Sequence, residues 1–446
     1  MSKSKDPRVA ILGVAVDNLT MEEVLDAVEA KIAEGGFHQI ATANVDFLMK
    51  SIHDEELYET LCRCDIVLAD GMPLVWASRL LGAGLQERVA GSDLVPKLAS
   101  LSARRGYRIF MLGAEEESSR GAEAWMEKNF PGISIAGRYC PKHQPLEEMD
   151  HEEILSRIEA VRPDILLVAF GNPKQEKWLT MHRHRLEVPV CIGVGGTFDF
   201  LSGRLSRAPK WMQLSGLEWL YRMIQEPSRL ARRYFSNAIG LLRYLPIQLV
   251  AMAMQGKRRQ QTQISQQTVG SAIVLRIDGD FTGELLSRFE SDVRSAVLSG
   301  SHVVLDMSNT AYIGADALAS LIYVMNVARC WKRELWLAGL DRLLVKVVGA
   351  SRLRLFFRLA PKVAEALRRI QPELAPVPQF GDDWVYCRIG GQLIPIHPQE
   401  VPDVYRQVQQ LLSRSLTVEP ISALSPTGVE LNALIPEQIP AEAVQN

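Results

Sequence analysis

From residue 8 to residue 200 the chain alternates two hydrophobic rhythms. Short, almost uninterrupted apolar runs (VAILGVAV, HQIATAN, DIVLAD, RIFMLGA, ISIAGRY, DILLVAFG, VPVCIGVGG) are each bounded by Gly, Asn or Asp. They are too continuously apolar for a sheet wet on one face and read as buried, mainly parallel strands. Between them lie stretches of helical periodicity. In TMEEVLDAVEAKIAEGG, Thr20 and Glu23 stand at capping-box spacing and Gly35–Gly36 closes the segment. Repeated β-α units predict a doubly wound, mainly parallel Rossmann-like α/β sheet over residues 1–203, with ligands at the carboxyl ends of its strands.

The rhythm breaks after residue 203. Residues 204–259 carry eleven Lys and Arg against Glu218 and Glu226, together with Trp211, Trp219, Tyr221, Tyr234, Phe235 and Tyr244. A region of charge +9 thus sits inside a chain of net charge −2. Basic, aromatic and apolar helical sequence of this kind predicts an amphipathic appendage lying on a membrane surface. QQTQISQQTVGS (260–271) reads as a polar linker. Residues 272–370 predict a second, small α/β unit: strands AIVLRIDGDF, SHVVLDMS and ELWLAGL, with helices GELLSRFESDVRSAVLSG, GADALASLIYVMNVARCW and KVAEALRRI. The tail, 371–446, holds ten of the 23 prolines and is expected to be largely irregular, with one short helix around VPDVYRQVQQLLSR.

Composition narrows the class. With 446 residues, 47% hydrophobic and 23% charged, the chain has enough apolar material for several cores. That excludes a disordered, collagen-like or disulfide-stapled protein, and near-neutrality argues against a dedicated nucleic-acid binder. The six cysteines are scattered and read as reduced thiols, without the paired spacing of a zinc site. MSKSKDPRVAILGVAV lacks a signal-peptide cleavage site. The apolar stretch from Ile239 to Met254 is interrupted by Arg243 and Pro246, so no spanning helix is expected.

Four polar clusters fall at predicted strand ends: Thr42-Ala43-Asn44, Ala69-Asp70-Gly71, Gly171 to Glu176, and Gly193 to Asp199. Asp70, a carboxylate beside glycine, is placed to take a proton from a substrate hydroxyl, and a strand-end Asp equally caps helices. Thr42, Asn44 and Gln175 offer short arms to sugar hydroxyls, and each also suits a helix start. Gly195 and Gly196 allow a backbone to approach a phosphate closely, although G-x-G alone is weak evidence. Arg88 would neutralise an anionic substrate, unless it is an ordinary structural arginine.

Residues 8–245 resemble the WecG/TagA/CpsF glycosyltransferases (glycosyltransferase family 26). The resemblance rests on T-A-N, A-D-G-M-P, R-V-A-G-S-D, G-N-P-K-Q-E, G-V-G-G-T-F-D-F-L-S-G and R-A-P-K-W…G-L-E-W-L-Y-R…E-P-S-R-L-A-R-R-Y, in that order and spacing. It implies inverting transfer of an N-acetylmannosaminyl-type sugar from a UDP-sugar to a polyprenyl-diphosphate-linked sugar. The reaction would take place on the inner face of the cytoplasmic membrane, without a cofactor or essential metal. It implies that Asp70 is the general base, that Thr42, Asn44, Arg88 and Gln175 position sugar, and that Asp199 belongs to the nucleotide pocket. Arg222, Arg229 and Arg232 match arginines of an appendage that closes over the site at the membrane and stabilises the leaving diphosphate.

Residues 272–370 resemble a STAS domain through VVLDMSNTAYIGADALASLI and ELWLAGL. In that family a serine or threonine at the start of the central helix is phosphorylated by a partner kinase. Here the stretch is Gly314-Ala315-Asp316-Ala317-Leu318, with no hydroxyl. Asp316 is expected to cap the helix, the other reading being a permanent charge in place of a phosphate. The module is expected to bind a regulatory protein partner or to mediate self-association. The rival to an enzyme is a non-catalytic sensor that binds a nucleotide sugar and signals through the STAS unit.

Overall fold

The computed structural model describes residues 8–214, 216–255, 261–355 and 357–371, and beyond them four strands (385–389, 392–396, 419–424 and 430–435).

The first apolar run is not one strand. VAILGVAV bends at Leu12 and Gly13, both at positive φ (50° and 87°), as a two-residue hairpin turn requires. The result is an antiparallel hairpin, β1 (Arg8–Ile11) and β2 (Val14–Asp17), with a sheet of its own. Apolarity alone cannot distinguish one buried strand from two. Helix α1 (Met21–Glu34) follows with the expected capping box: the Glu23 N–H donates to Thr20 Oγ1 at 3.3 Å and the Thr20 N–H to Glu23 Oε2 at 2.8 Å.

The remaining six runs form one parallel sheet. Its strands are β3 (His38–Ala43), β4 (Ile66–Ala69), β5 (Arg108–Gly113), β6 (Ser134–Tyr139), β7 (Ile165–Ala169) and β8 (Val190–Gly193), in the order β4-β3-β8-β7-β5-β6. All residues of β3 and β7 are buried, as sheets covered on both faces demand. The covering helices are α2 (Val45–Ser51), α3 (Glu55–Arg63), α4 (Met72–Leu80), α5 (Gly91–Arg105), α6 (Glu116–Asn129), α7 (His151–Val161), α8 (Lys174–Met181) and α9 (Thr197–Leu201). The basic appendage is helical: α10 (Lys210–Leu214), α11 (Glu218–Gln225) and α12 (Pro227–Met254).

The second unit holds strands β9 (Gln263–Val269), β10 (Ala272–Phe281), β11 (His302–Asp306), β12 (Thr310–Ile313), β13 (Leu335–Ala338) and β14 (Arg358–Ala360). Its helices are α13 (Leu286–Leu298), α14 (Ala315–Cys330), α15 (Arg342–Ala350) and α16 (Val363–Ile370). The sheet runs β12-β10-β11-β13-β14 in parallel, with β9 pairing antiparallel to β10. The linker expected at 260–271 is therefore corrected: most of it is strand β9. Its side chains are mainly solvated, so backbone pairing rather than hydrophobic burial makes it a strand, and no apolar pattern announces it. Helix α15, in DRLLVKVVGA, adds to the helices expected from the sequence, with Leu344, Val347 and Val348 buried at i, i+3, i+4 spacing.

Four short strands are described within the tail, which beyond residue 371 is otherwise outside the described residues. Strands β15 (Val385–Ile389), β16 (Gln392–Ile396), β17 (Glu419–Leu424) and β18 (Glu430–Ile435) form an antiparallel sheet in the order β16-β15-β17-β18. The helix expected around VPDVYRQVQQLLSR lies outside the described residues.

The two units are not separate beads. One hydrophobic core runs from the hairpin (Val9, Ile11, Val14, Val16) through α12 (Leu245, Met252) to α14 (Leu318, Leu321, Met325). Arg8 pairs with Glu290 of α13 at 3.0 Å and lies 4.2 Å over the Tyr323 ring. The Gln248 side chain of α12 accepts from the Leu12 N–H (2.9 Å) and donates to the Ala10 carbonyl (3.0 Å). Gln255 brackets Ile313 in the same manner (2.9 and 3.2 Å). Helix α12 thus stitches each unit by satisfying buried backbone groups that would otherwise be costly.

Asp316 neither caps its own helix nor stands as an exposed charge. It is buried and accepts from Thr282 Oγ1 (2.7 Å) and the Gly283 N–H (2.7 Å), pinning the turn before α13, while the N-terminus of α14 has no side-chain cap.

Candidate active site

The strand order brings the four polar clusters side by side. They follow β4 (Asp70), β3 (Thr42 to Asn44), β8 (Gly193 to Asp199) and β7 (Gly171 to Glu176), neighbours at one edge of the sheet. Thr42 Oγ1 donates to the Gly193 carbonyl at 3.0 Å, joining the ends of β3 and β8.

Asp70 opens on a cavity of about 350 Å3 lined also by Asn44, Asp46, Arg88, Glu218, Arg222 and Arg233. Desolvation pushes its carboxyl up to about 7, against the opposing pull of Arg222 and Arg88 and with a smaller push from Glu218 and Asp93. A carboxylate so poised is half ionised near neutrality, where a general base works best.

The appendage supplies the roof. Glu218, at the start of α11, is only 8% exposed and accepts from Arg88 Nη1 at 2.9 Å. Arg207 Nη2 and Arg222 Nη2 lie 3.7 and 3.8 Å from its other oxygen. Asp93 takes Arg88 Nη2 and Arg207 Nη1, both at 2.7 Å. Arg88 thus bridges two carboxylates and acts as the rivet between α5 and the appendage. Arg222 and Arg233 differ: both line the cavity, and each buries an Nε that makes no hydrogen bond. The Arg222 guanidinium carbon lies 4.5 Å from the centroid of the Phe200 ring, within cation–π range.

The sequence-derived set divides in two. Asp70, Asn44, Arg88 and Arg222 meet at the cavity. Asn44 also caps α2, accepting from the Asp46 and Phe47 N–H groups at 3.0 and 3.4 Å. Thr42, Gln175, Gly195, Gly196 and Asp199 are outside the lining of this cavity, at or just beyond the ends of β3, β7 and β8. Gln175 is buried, its oxygen accepting from the Gly171 and Gly195 N–H groups (3.2 and 3.1 Å) and its nitrogen donating to Glu176 (2.6 Å). Its amide thus ties two loops together. Burial pushes the Glu176 carboxyl up to about 8. Asp199 accepts from Ser118 Oγ at 2.6 Å, which joins α9 to α6.

Arg232 is exposed and outside the cavity lining, whereas its neighbour Arg233 faces in. One residue along a helix turns about 100°, so an arginine pair in sequence cannot show which member faces the site. The side chain of Arg229 lies outside the described residues. Arg207, Asp93, Glu218 and Arg233 were not singled out from sequence. All four stand inside the quoted motifs R-A-P, G-S-D, G-L-E-W and E-P-S-R-L-A-R-R-Y, the only signal that marked them.

The cavity mouth is apolar, flanked by Trp76, Trp219, Tyr234, Ala238 and Leu241. Trp219 and Tyr234 meet edge to face at 5.9 Å between centroids. Outward from it, Trp211, Ile224, Phe235, Ile239 and Leu242 are exposed. Among the described residues one helix, Leu230–Met254, is long and apolar enough to cross a membrane by length and composition. Among them, too, no group of three or more His, Cys, Asp or Glu side chains is placed to hold a metal ion.

Residues 9–258 match the family model described as glycosyl transferase WecG/TagA/CpsF family, and residues 263–366 match that of the STAS domain. The N-acetylglucosaminyldiphosphoundecaprenol N-acetyl-beta-D-mannosaminyltransferase of Bacillus subtilis (strain 168) is 35% identical over 193 residues, 43% of this chain and 73% of its own. The protein of the same description in Staphylococcus aureus (strain MRSA252) is 29% identical over 259 residues, 58% of this chain and 96% of its own. A solved structure of the anti-sigma factor antagonist SpoIIAA in its unphosphorylated form aligns over 25% of this chain and 97% of its own, at 13% identity and a TM-score of 0.23.

Proposed function

The chain belongs to the WecG/TagA/CpsF glycosyltransferase family and carries a C-terminal STAS domain, and on that premise we propose the reaction its site performs. The transferase moves an N-acetylmannosaminyl-type sugar from a UDP-sugar to a polyprenyl-diphosphate-linked N-acetylglucosaminyl acceptor, in assembly of a cell-envelope glycan. The observation that carries this reading is one cavity lined by Asp70, Arg222 and Arg233 together with apolar Trp76, Trp219 and Leu241.

The chemistry follows from those groups. Asp70 takes the proton of the acceptor hydroxyl as its oxygen attacks the anomeric carbon. The bond from that carbon to the UDP β-phosphate oxygen breaks, and UDP departs with the electron pair. A single displacement of this kind inverts the anomeric centre. Negative charge grows on the diphosphate, and in this reading the guanidinium groups of Arg222 and Arg233, which line the same cavity, meet it. In this reading the guanidinium groups supply the charge that a metal would otherwise bring.

A lipid-linked acceptor accounts for the mouth. The polyprenyl chain leaves between Trp76, Trp219 and Leu241, and the exposed apolar row of α12 lies in the interface of the inner leaflet. The rows of Lys and Arg in 204–259 suit its anionic headgroups. The reading is tested by incubating the full chain with UDP-N-acetylmannosamine, a polyprenyl-diphosphate-N-acetylglucosamine acceptor and anionic vesicles. It requires UDP release together with a new glycosidic bond of inverted configuration. Binding of the donor without turnover under these conditions would mark the protein as a sensor.

A further inference from the structure

The apolar row of α12 does not end with the transferase. Phe235, Ile239, Leu242, Ile247, Val250 and Met254 are all more than half exposed and follow one side of the helix. They extend over about 29 Å at 1.5 Å per residue. Its last turns run alongside α15 of the STAS unit. Between the two helices lies an open groove of about 710 Å3, floored by Ile247, Val250, Met254, Leu343 and Val345. Among the described residues two charged side chains line it, Lys346 and Arg354, and both are basic and exposed. A soluble module has no reason of its own to leave such a face uncovered.

We propose that this α12–α15 groove is a binding site for anionic phospholipid of the bilayer, so that the STAS unit is a second membrane footing for the enzyme. The groove takes the upper acyl segment, and Lys346 and Arg354 hold the headgroup phosphate. Two features favour a bilayer over a protein partner. The groove continues the apolar row that carries the transferase's own membrane contact, and its charge is of one sign, opposite to an anionic leaflet. The consequence is orientational. One helix alone leaves a protein free to roll about the helix axis, whereas contacts from both units fix the angle at which the cavity mouth meets the surface. The assignment rests on the membrane reading of α12 given above.

Vesicle co-sedimentation of the full chain tests both and separates them. The probes are phosphatidylcholine vesicles with and without phosphatidylglycerol. The K346Q/R354Q double variant is expected to partition to phosphatidylglycerol vesicles roughly five- to thirty-fold more weakly than wild type, at about five-fold per basic residue near the surface. Its binding to pure phosphatidylcholine and its turnover of a short-chain acceptor in detergent are expected to be unchanged. The F235S/L242S variant, altered on the transferase side, is expected to lose binding to both vesicle types. Wild-type partitioning by K346Q/R354Q, with F235S/L242S impaired, would overturn the STAS footing and leave the membrane reading intact. Wild-type partitioning by both variants would overturn the two together.

Discussion

Arg88 Nη1 donates to Glu218 across 2.9 Å, although 130 residues of chain separate them. The pair joins the body of the transferase to its basic appendage, so the roof is fastened over Asp70 by a charge contact set largely away from solvent. The appendage arrives at the site with its own carboxylate as well as its arginines, and that carboxylate draws Arg88, Arg207 and Arg222 together.

Loss of that carboxylate should loosen the roof. Glu218→Gln leaves Arg88 and Arg207 with one acidic partner, Asp93, in a largely desolvated setting. A cost of about 2–3 kcal/mol is expected, below that of a fully buried pair because the side chains keep some solvent contact. Urea unfolding measures it. A variant as stable as wild type would show that solvent already screens the contact.

The pH profile should follow Asp70. With its carboxyl near 7, kcat/KM is expected to rise with pH through about 7 and level off, since only the ionised form accepts the proton. Arg222 and Arg88 favour the carboxylate, so Arg222→Gln moves the rising limb to higher pH. Glu218 disfavours it, so Glu218→Gln moves the limb lower. Shifts in the same direction for the two variants would assign the limb to another group.

Stability should respond in the opposite sense. A carboxyl whose folded pKa is raised holds its proton more tightly in the folded state than in the unfolded one. It therefore contributes stability at low pH that is lost between about pH 4 and pH 7. Asp70→Asn, which cannot ionise, is expected to be more stable than wild type at pH 8 and to lose that advantage toward pH 4. Urea midpoints at the two pH values test this. An equal gap at both would show that the effect is not ionisation.

Arg233 and Arg232 should separate cleanly. Removing a guanidinium that meets the leaving diphosphate is expected to lower kcat by roughly 100-fold or more, so Arg233→Ala is impaired while Arg232→Ala turns over as wild type. Chelation of divalent metal should leave the wild type active. If a chelator abolished turnover and added magnesium restored it, the charge would be coming from elsewhere than these arginines.

The parallel sheet and the location of the site were readable because continuous apolar runs and the polar residues that end them are local features. Asp70, Asn44 and Arg88 lie where strand ends converge, and their motifs had no need of strand order to be noticed. What escaped depends on partners far away in sequence. Nothing local shows that Gln175 spends its amide on Gly171 and Gly195, or that Glu218 meets Arg88. The phase of α12, set by packing of Asn237, Leu245 and Gln248 against the transferase, decides that Arg233 and not Arg232 turns inward. The hairpin at Leu12–Gly13 and the polar strand β9 escaped for a different reason. Their structure comes from backbone geometry and hydrogen bonding, which hydrophobic periodicity does not record.

The central assertion is that the Asp70 carboxylate draws the proton from the acceptor alcohol. It is tested by comparing UDP release by the wild type and Asp70→Asn, with the lipid-linked acceptor on anionic vesicles and with folding verified by circular dichroism. The account requires a fall of roughly 100- to 10,000-fold in the folded variant. Turnover at the wild-type rate by folded Asp70→Asn would contradict it.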